Sequence, residues 1–537
     1  MTIVSNPPAR ASDQHSAPPN QSTPLRSTGS NGVWWMPVVG LVAALLCLPF
    51  FRTVFWLGDE GVLLHGAEKV LHGDRLYIDF FEFLPPGGFL ITAAWFDMAG
   101  TSMASARVLA ILTIVGIACF TYLACRQVCR QAAISALLAV GWVIMSQGFW
   151  TQISHHWFTT LFSMVAAWAT LVSIEQPQRW LRWPLLAGLA SGAAAMVIPT
   201  RAAFAMLAAA TAFMNFRRYR LELIVYVLAS ILVPACLLAY VIAHGALAAA
   251  FEDVIVLTAA RYAPVQGVPF GYGQTLQNFL LKYIFPLAAI LTILGCASLG
   301  RRFLRDRLLR ACAAFGLAGF LGCFPRPDIA HIAFAAPLVC PLLAYGMERL
   351  MRPWRPSYRY AAAMVAIILC APSAGALFSA ADVALRGEIV TAPRGSVTFP
   401  PGRNGEGELL ARIAATPSGD AYFFYPHMPM LPFLTGREHV SKYDVFTPPG
   451  YTLPSEYREA CVSAMRRAAW VVIDRTWTDP IFLKVVFPAV QDAQLQETKG
   501  FELALEQGFD LVWQEGTFEL RRRIKESDET VCAGVGE

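Results

Sequence analysis

Charge is scarce in this sequence: Asp, Glu, Lys and Arg make up 15% of its 537 residues, against about a quarter in soluble domains. Hydrophobic residues make up 56% and mean hydropathy is +0.48, so water is not the main solvent of the fold. Also missing is any basic tail or one-sided basic face, because the net charge of +5 is spread over short clusters between apolar runs. That distribution reads as membrane topology and excludes a nucleic-acid partner. Cysteine pairs of the CxxC type are absent. Ten of the twelve cysteines, Cys47 to Cys370, sit in or beside apolar runs as small packing residues, which leaves no thiolate metal or redox motif. Cys461 and Cys532 stand apart in the polar C-terminal part, where a disulfide between them is possible.

Between residues 88 and 379 no carboxylate falls in the middle of an apolar segment. Asp97, Glu175, Glu222, Glu252, Asp253, Asp306, Asp328 and Glu348 all lie in loops or at segment ends. Ion-coupled transporters usually place such groups near the bilayer midplane, so the pattern favours a site at the membrane surface. Convincing internal repeats of the kind transporters carry are missing too.

What is present is a series of apolar segments, and about 20 such residues are needed to cross roughly 30 Å of hydrocarbon. The candidates are 34–51, 107–125, 132–148, 158–174, 184–200, 202–215, 222–243, 279–299, 311–323, 332–347 and 360–379. The fold class expected is therefore a polytopic α-helical membrane protein of about 11 transmembrane helices with a C-terminal α/β domain. Residues 1–32, rich in Ser, Pro, Asn and Gln, read as a disordered cytoplasmic tail. Residues 33–379 read as the transmembrane domain, with 52–106 as a long first external loop, and 380–537 as an extracytoplasmic domain. Alternate loops carry the arginines: Arg126 and Arg130, Arg179 and Arg182, Arg217 to Arg220, Arg301 to Arg310, and Arg349 to Arg359. The positive-inside rule puts these loops and the N-terminus in the cytoplasm, and an odd number of crossings leaves the C-terminal domain outside.

In the first external loop the apolar stretch Gly87 to Met98 is too short to span, so it reads as an interfacial helix. After residue 400 the pattern predicts a small sheet with flanking helices: helix Glu406 to Ala415, strand Ala421 to Tyr425, helix Ser455 to Arg467, strand Trp470 to Asp474 and a strand pair near Leu511 to Arg521. The aromatic run Tyr422 to Tyr425 reads as core packing first and as an acceptor surface second.

The densest polar cluster is Gly58-Asp59-Glu60-Gly61, followed by His65, Glu68, His72, Asp74, Arg75, Tyr77, Asp79 and Glu82. Asp59 and Glu60 stand where a helix would start, a position that favours carboxylates through the helix dipole and its free N–H groups. Spacing alone leaves cap and catalyst equally open. The run Asp59-Glu60-Gly61, then Gly73-Asp74-Arg75-Leu76-Tyr77-Ile78-Asp79, then Pro85-Pro86-Gly87, resembles the first external loop of bacterial GT-C superfamily glycosyltransferases, relatives of protein O-mannosyltransferases and lipid A aminoarabinose transferases. Pro325-Arg326-Pro327-Asp328 with His331, and Phe424-Tyr425-Pro426 with Phe433 to Arg437, extend the likeness.

The resemblance implies an inner-membrane enzyme that transfers a sugar from a polyprenyl-phosphate-linked donor to a glycan, lipid or protein acceptor outside. It maps the family's essential acid onto Asp59, with Glu60 and Asp79 in support. It settles no cofactor: some members use a divalent metal, for which Asp59, His155 and His156 are weak candidates here and Asp328 a further ligand. Chemically, the donor phosphate needs cations, and Arg201, Arg326 and His331 are the candidates, since an arginine fork can hold two oxygens at once. Snorkelling at span ends explains the same arginines without a ligand. Arg261 and Tyr262, in the external loop 244–278, are candidates for a lid over the donor. The competing readings are a flippase of lipid-linked sugars that holds phosphate without chemistry, and a scaffold whose outer domain binds cell-wall partners.

Overall fold

The computed structural model describes residues 34–176, 181–214, 220–297, 305–401, 405–524 and 529–535. The tail at 1–32 and the loop arginines Arg179, Arg217, Arg218, Arg301 and Arg302 lie outside these residues.

The chain opens with helices α1 (Trp35–Cys47), α2 (Asp59–His72), α3 (Gly87–Ala99), α4 (Met103–Val128), α5 (Ala132–Gln147) and α6 (His155–Glu175). It continues with α7 (Arg182–Ala195), α8 (Pro199–Phe213) and α9 (Arg220–Ala243), followed by apolar helices at Phe279–Cys296, Arg307–Leu321, Ile329–Met351 and Pro356–Arg386. Each of the eleven apolar segments therefore falls on a helix. Among the described residues six helices are long and apolar enough to cross a membrane: Met103–Val128, His155–Glu175, Arg220–Ala243, Leu276–Cys296, Ile329–Met351 and Met364–Arg386. The expectation of eleven is not met by length, since α7, α8 and Arg307–Leu321 have only 14, 15 and 15 residues.

Burial separates the centre of the bundle from its periphery. The Ile329–Met351 window is 89% buried, whereas those of α9 and Met364–Arg386 are 22% and 11% buried and present their apolar side chains outward. Small residues let neighbouring helices touch: a Cβ on Gly188 of α7 would lie 2.4 Å from the Tyr226 carbonyl of α9, the close approach expected of membrane helix pairs. The last helix runs to Arg386, so the junction with the C-terminal part lies some residues beyond the boundary read at 379.

Beyond it come a hairpin, β1 (Glu388–Ala392) and β2 (Gly395–Phe399), absent from the sequence reading, and a four-stranded sheet. The sheet contains β3 (Tyr422–Tyr425), β4 (Trp470–Asp474), β5 (Phe509–Glu515) and β6 (Phe518–Arg523) in the order β3-β4-β6-β5. Strands β3 and β4 are parallel and the other pairs antiparallel. All four residues of β3 are at most 2% exposed, so the aromatic run is core. Cys461 and Cys532 form a disulfide.

The two parts of the chain are closely joined. Thr398 accepts a hydrogen bond from Val54 and donates one to Arg52 through the backbone, at 2.9 and 2.7 Å. The Leu57 carbonyl accepts from the Met430 amide at 2.9 Å. Gly61 makes this contact possible, because a Cβ there would lie 2.1 Å from the Met430 nitrogen. Gly61→Ala is accordingly expected to separate the start of α2 from the 427–430 segment, seen as increased proteolysis of the C-terminal part with the membrane helices intact.

Candidate active site

The start of α2 is built against β3's outgoing loop. A Cβ on Gly58 would overlap the His427 ring at 2.2 Å, so only glycine lets the imidazole reach the helix N-terminus. There His427 Nε2 lies 3.3 Å from Asp59 Oδ1. His427 is 7% exposed while Asp59 keeps 44% of its side-chain surface open. Asp59 is thus crowded by protein on one side and open on the other. Burial pushes its carboxyl upward, but the hydrogen bond and charge of His427, with the charges of His155 and Arg326, outweigh burial and hold it below the usual carboxylate range.

Glu60 points elsewhere. Its carboxylate accepts from Arg107 Nη1 and, at 3.1 Å, from the Ile153 amide, and it is 1% exposed. Buried there, it ties α2 to α4 and to the loop before α6. Asp79 is also outside the cleft. It accepts from the Arg75 amide and side chain within one turn, at 2.8 and 3.0 Å, and lines a different cavity. Arg261 donates to the Gly450 carbonyl at 3.4 Å.

Near Asp59, whose carboxyl feels the charges of His155 and Arg326, lies a cationic and aromatic cluster. Arg201, at the start of α8, is 4% exposed and donates through Nε to the Gly322 carbonyl at 3.2 Å, while its buried Nη1 has no partner. Its guanidinium lies 5.8 Å from the Phe334 ring centroid. His156 stacks on the other side of that region, 4.4 Å from Phe334 and 4.2 Å from the His155 ring, with its Nδ1 buried and unpartnered. His331 lies 4.9 Å from His156 and is held by Asp328, whose Oδ1 lies 2.7 Å from His331 Nδ1. Arg326 is fixed by Asp328, Gln266 and the Val486 carbonyl at 2.7, 2.9 and 2.8 Å. Although buried, the Asp328 carboxyl is held down to about 2 by His331 and Arg326. Tyr262 comes close enough to feel Arg326, Asp59 and Asp328, and burial raises its hydroxyl. The structure thus gathers Asp59, His155, His156, Arg201, Tyr262, Arg326 and His331, which the sequence scatters over 273 positions.

No family model matches this sequence, and no curated protein does. Solved structures do. ArnT from Cupriavidus metallidurans bound to undecaprenyl phosphate superposes with a TM-score of 0.51 at 13% identity, covering 93% of this chain and 99% of that one. Its apo state gives the same score and identity over 94% and 99%. The arabinofuranosyltransferase AftD from Mycobacteria also scores 0.51 at 13% identity, with 92% of this chain covering 42% of that one. The chain has the GT-C fold. At this identity the likeness speaks for architecture, and the chemistry rests on the residues themselves.

Within the GT-C fold, His427 is the site residue that sequence reading missed. Its only local signal is its place one residue after Tyr425-Pro426, at the carboxyl end of a parallel strand, where open sheets commonly present ligands. Asp474 ends the neighbouring parallel strand and feels the charge of His427, and Trp477 packs on the imidazole at 4.9 Å. Trp56 bridges Trp477 and Trp150 at 5.9 and 6.0 Å, which shields this side of the cleft from water.

Among the described residues no three His, Cys, Asp or Glu groups converge to hold an ion. The His155 and His156 rings lie 4.2 Å apart and His155 is close enough to act on Asp59, while Asp328 is taken up by His331 and Arg326. What the arrangement offers is an ionised, partly exposed Asp59 near the guanidinium of Arg326, with the buried Arg201 keeping an unpartnered N–H.

Proposed function

We propose that this chain is a membrane glycosyltransferase that moves a sugar from a polyprenyl-phosphate-linked donor to an acceptor at the outer face of the inner membrane. The observation that carries the reading is Asp59, held ionised and partly exposed beside the charges of His155, Arg326 and His427, with His155 in turn close enough to feel the buried Arg201, whose Nη1 has no partner. The acceptor hydroxyl would attack the anomeric carbon, its oxygen forming the new glycosidic bond while the carbon–oxygen bond to phosphate breaks. Asp59 takes the hydroxyl proton. Arg201, Arg326 and His331 stabilise the departing phosphate, whose charge grows in the transition state. A single displacement of this kind inverts the anomeric centre. That a structurally similar protein, ArnT, was crystallised with undecaprenyl phosphate supports a lipid phosphate as the donor's leaving group.

The topology proposed with it has about eleven membrane segments, the N-terminus in the cytoplasm and the C-terminal domain outside. The arginine distribution supports this orientation. So does the Cys461–Cys532 disulfide, since such bonds persist in oxidising compartments. A labelling experiment that placed residues 52–106 in the cytosol would overturn it. The flippase alternative is separated by assay in detergent, where translocation has no meaning and only an enzyme yields product.

Two results follow for the site. Arg201→Ala should lower kcat/KM for a synthetic polyprenyl-phosphate sugar by roughly 10- to 100-fold, the worth of a hydrogen bond to a charged group at ~1.5–3 kcal/mol. Arg201→Lys, which keeps the charge, should recover part of that loss. The second result is a pH profile. A depressed carboxyl stays ionised well into acid, so activity that needs Asp59 as a base is retained to below about pH 3.9, the ordinary Asp value, and is lost as pH falls through the depressed one. Removing the imidazole in His427→Leu leaves burial less opposed, so the acid limb of kcat/KM should move to higher pH. An unmoved limb would separate His427 from the base.

A further inference from the structure

A second cavity, of about 550 Å3, lies between the C-terminal half of α2 and the 436–443 segment of the outer domain. Its size is in the range of small-ligand pockets, roughly 300–1,000 Å3. Its floor is built and rigid. Asp444, 3% exposed, accepts two bonds from Lys69 Nζ at 3.0 and 2.9 Å and lies 3.1 Å from His65 Nδ1. His439 beside it accepts from the Phe424 amide and donates to the Tyr443 carbonyl, which fixes it as a neutral imidazole. With Nδ1 committed to Asp444, His65 has its other nitrogen left for the cavity it lines.

The walls carry as many carboxylates as lysines and arginines. Arg394 pairs with Glu68 and Arg467 with Glu438 across the rim. Lys442 lies over the Tyr443 ring at 5.3 Å, and Glu459 accepts from the Tyr443 hydroxyl at 2.8 Å. An anion placed here would meet the carboxylates and a cation the guanidinium groups, while an apolar ligand would strip polar walls of water without replacing their hydrogen bonds. Hydroxyl groups suit both halves of each pair, because each can donate to a carboxylate and accept from a cation at once.

We propose that this cavity binds an uncharged saccharide, the part of a glycan acceptor that lies behind the hydroxyl being glycosylated. The inference rests on the reading of Asp59 as the transfer site. It draws on the helix the two sites share: at 1.5 Å rise per residue, His65 and Lys69 lie about 9 and 15 Å along α2 from Asp59, a separation that linked sugar rings can bridge.

The test uses the full-length protein in detergent and neutral trisaccharides of glucose, mannose and galactose, with a uronic-acid trisaccharide as control, followed by saturation-transfer NMR. Binding is measured in wild type and in Asp59→Asn, which removes turnover. At least one neutral trisaccharide should bind both forms, about tenfold more tightly than the uronate. Lys442→Trp, which fills the mouth, and Glu459→Gln, which removes an acceptor charge at an exposed position, should each weaken it about tenfold. Failure of every neutral trisaccharide to bind, equal binding of the uronate, or unchanged affinity in both variants overturns the proposal. Saccharide binding together with wild-type turnover in Asp59→Asn would overturn the catalytic reading and not the cavity. Loss of saccharide binding with transfer to a non-glycan acceptor intact would do the reverse.

Discussion

Asp59→Asn is expected to abolish sugar transfer, by roughly 10²–10⁴-fold, the contribution of a positioned general base, while the protein still inserts and folds. Asparagine keeps the shape of the side chain and an oxygen that can accept from His427, 3.3 Å away. What disappears is the negative charge and with it a place for the acceptor's proton. The carboxylate is partly exposed and the buried His427 keeps an oxygen partner, so neither side of the contact is left unmatched. The measurement is product formation from a synthetic polyprenyl-phosphate sugar in detergent, alongside the thermal midpoint of the same preparation. Turnover at the wild-type rate would remove Asp59 from the mechanism.

The neighbouring carboxylate should fail in the opposite way. Glu60→Ala leaves Arg107, 3% exposed, without its anion and the Ile153 amide without its acceptor. Removing one member of a buried ion pair typically costs about 3–5 kcal/mol, a large share of the ~5–15 kcal/mol that holds most proteins folded. The variant is expected to express poorly and to aggregate at a markedly lower temperature. Replacing both members, Glu60→Gln with Arg107→Met, should recover much of that stability, because no charge then remains buried alone. If Glu60→Ala instead keeps its thermal midpoint and loses only turnover, Glu60 belongs to the chemistry after all.

These adjacent residues mark how far a sequence can be read. Both sit in one acidic cluster, and residue type cannot tell which carboxylate has a buried cation waiting 47 positions away in Arg107. The apolar helices were legible because length and composition carry the signal locally. Their ends were less so: the final helix continues through Ser379 to Arg386, where small and polar residues still favour helix after the apolar run has ended. The hairpin of β1 and β2 escaped because its strands are five residues each and half exposed, and its turn depends on Gly395 at a φ of +125°. Arg201, Arg326 and His331 stand out in sequence as residue types that suit a phosphate, and the fold brings them near one another through Asp328 and Phe334. His427 does not stand out, because it meets Asp59 across 368 positions and no periodicity announces a pairing at that distance.

The absence of any side chain on Gly58 and Gly61 has a further effect on how such a protein can change over generations. With the His427 ring and the Met430 backbone pressed against those two positions, a substitution on one side of the seam is tolerated only with a matching shift on the other. Exchange of the soluble part by recombination, open to proteins whose modules meet through flexible linkers, is therefore closed to this one, and its two halves must be inherited together.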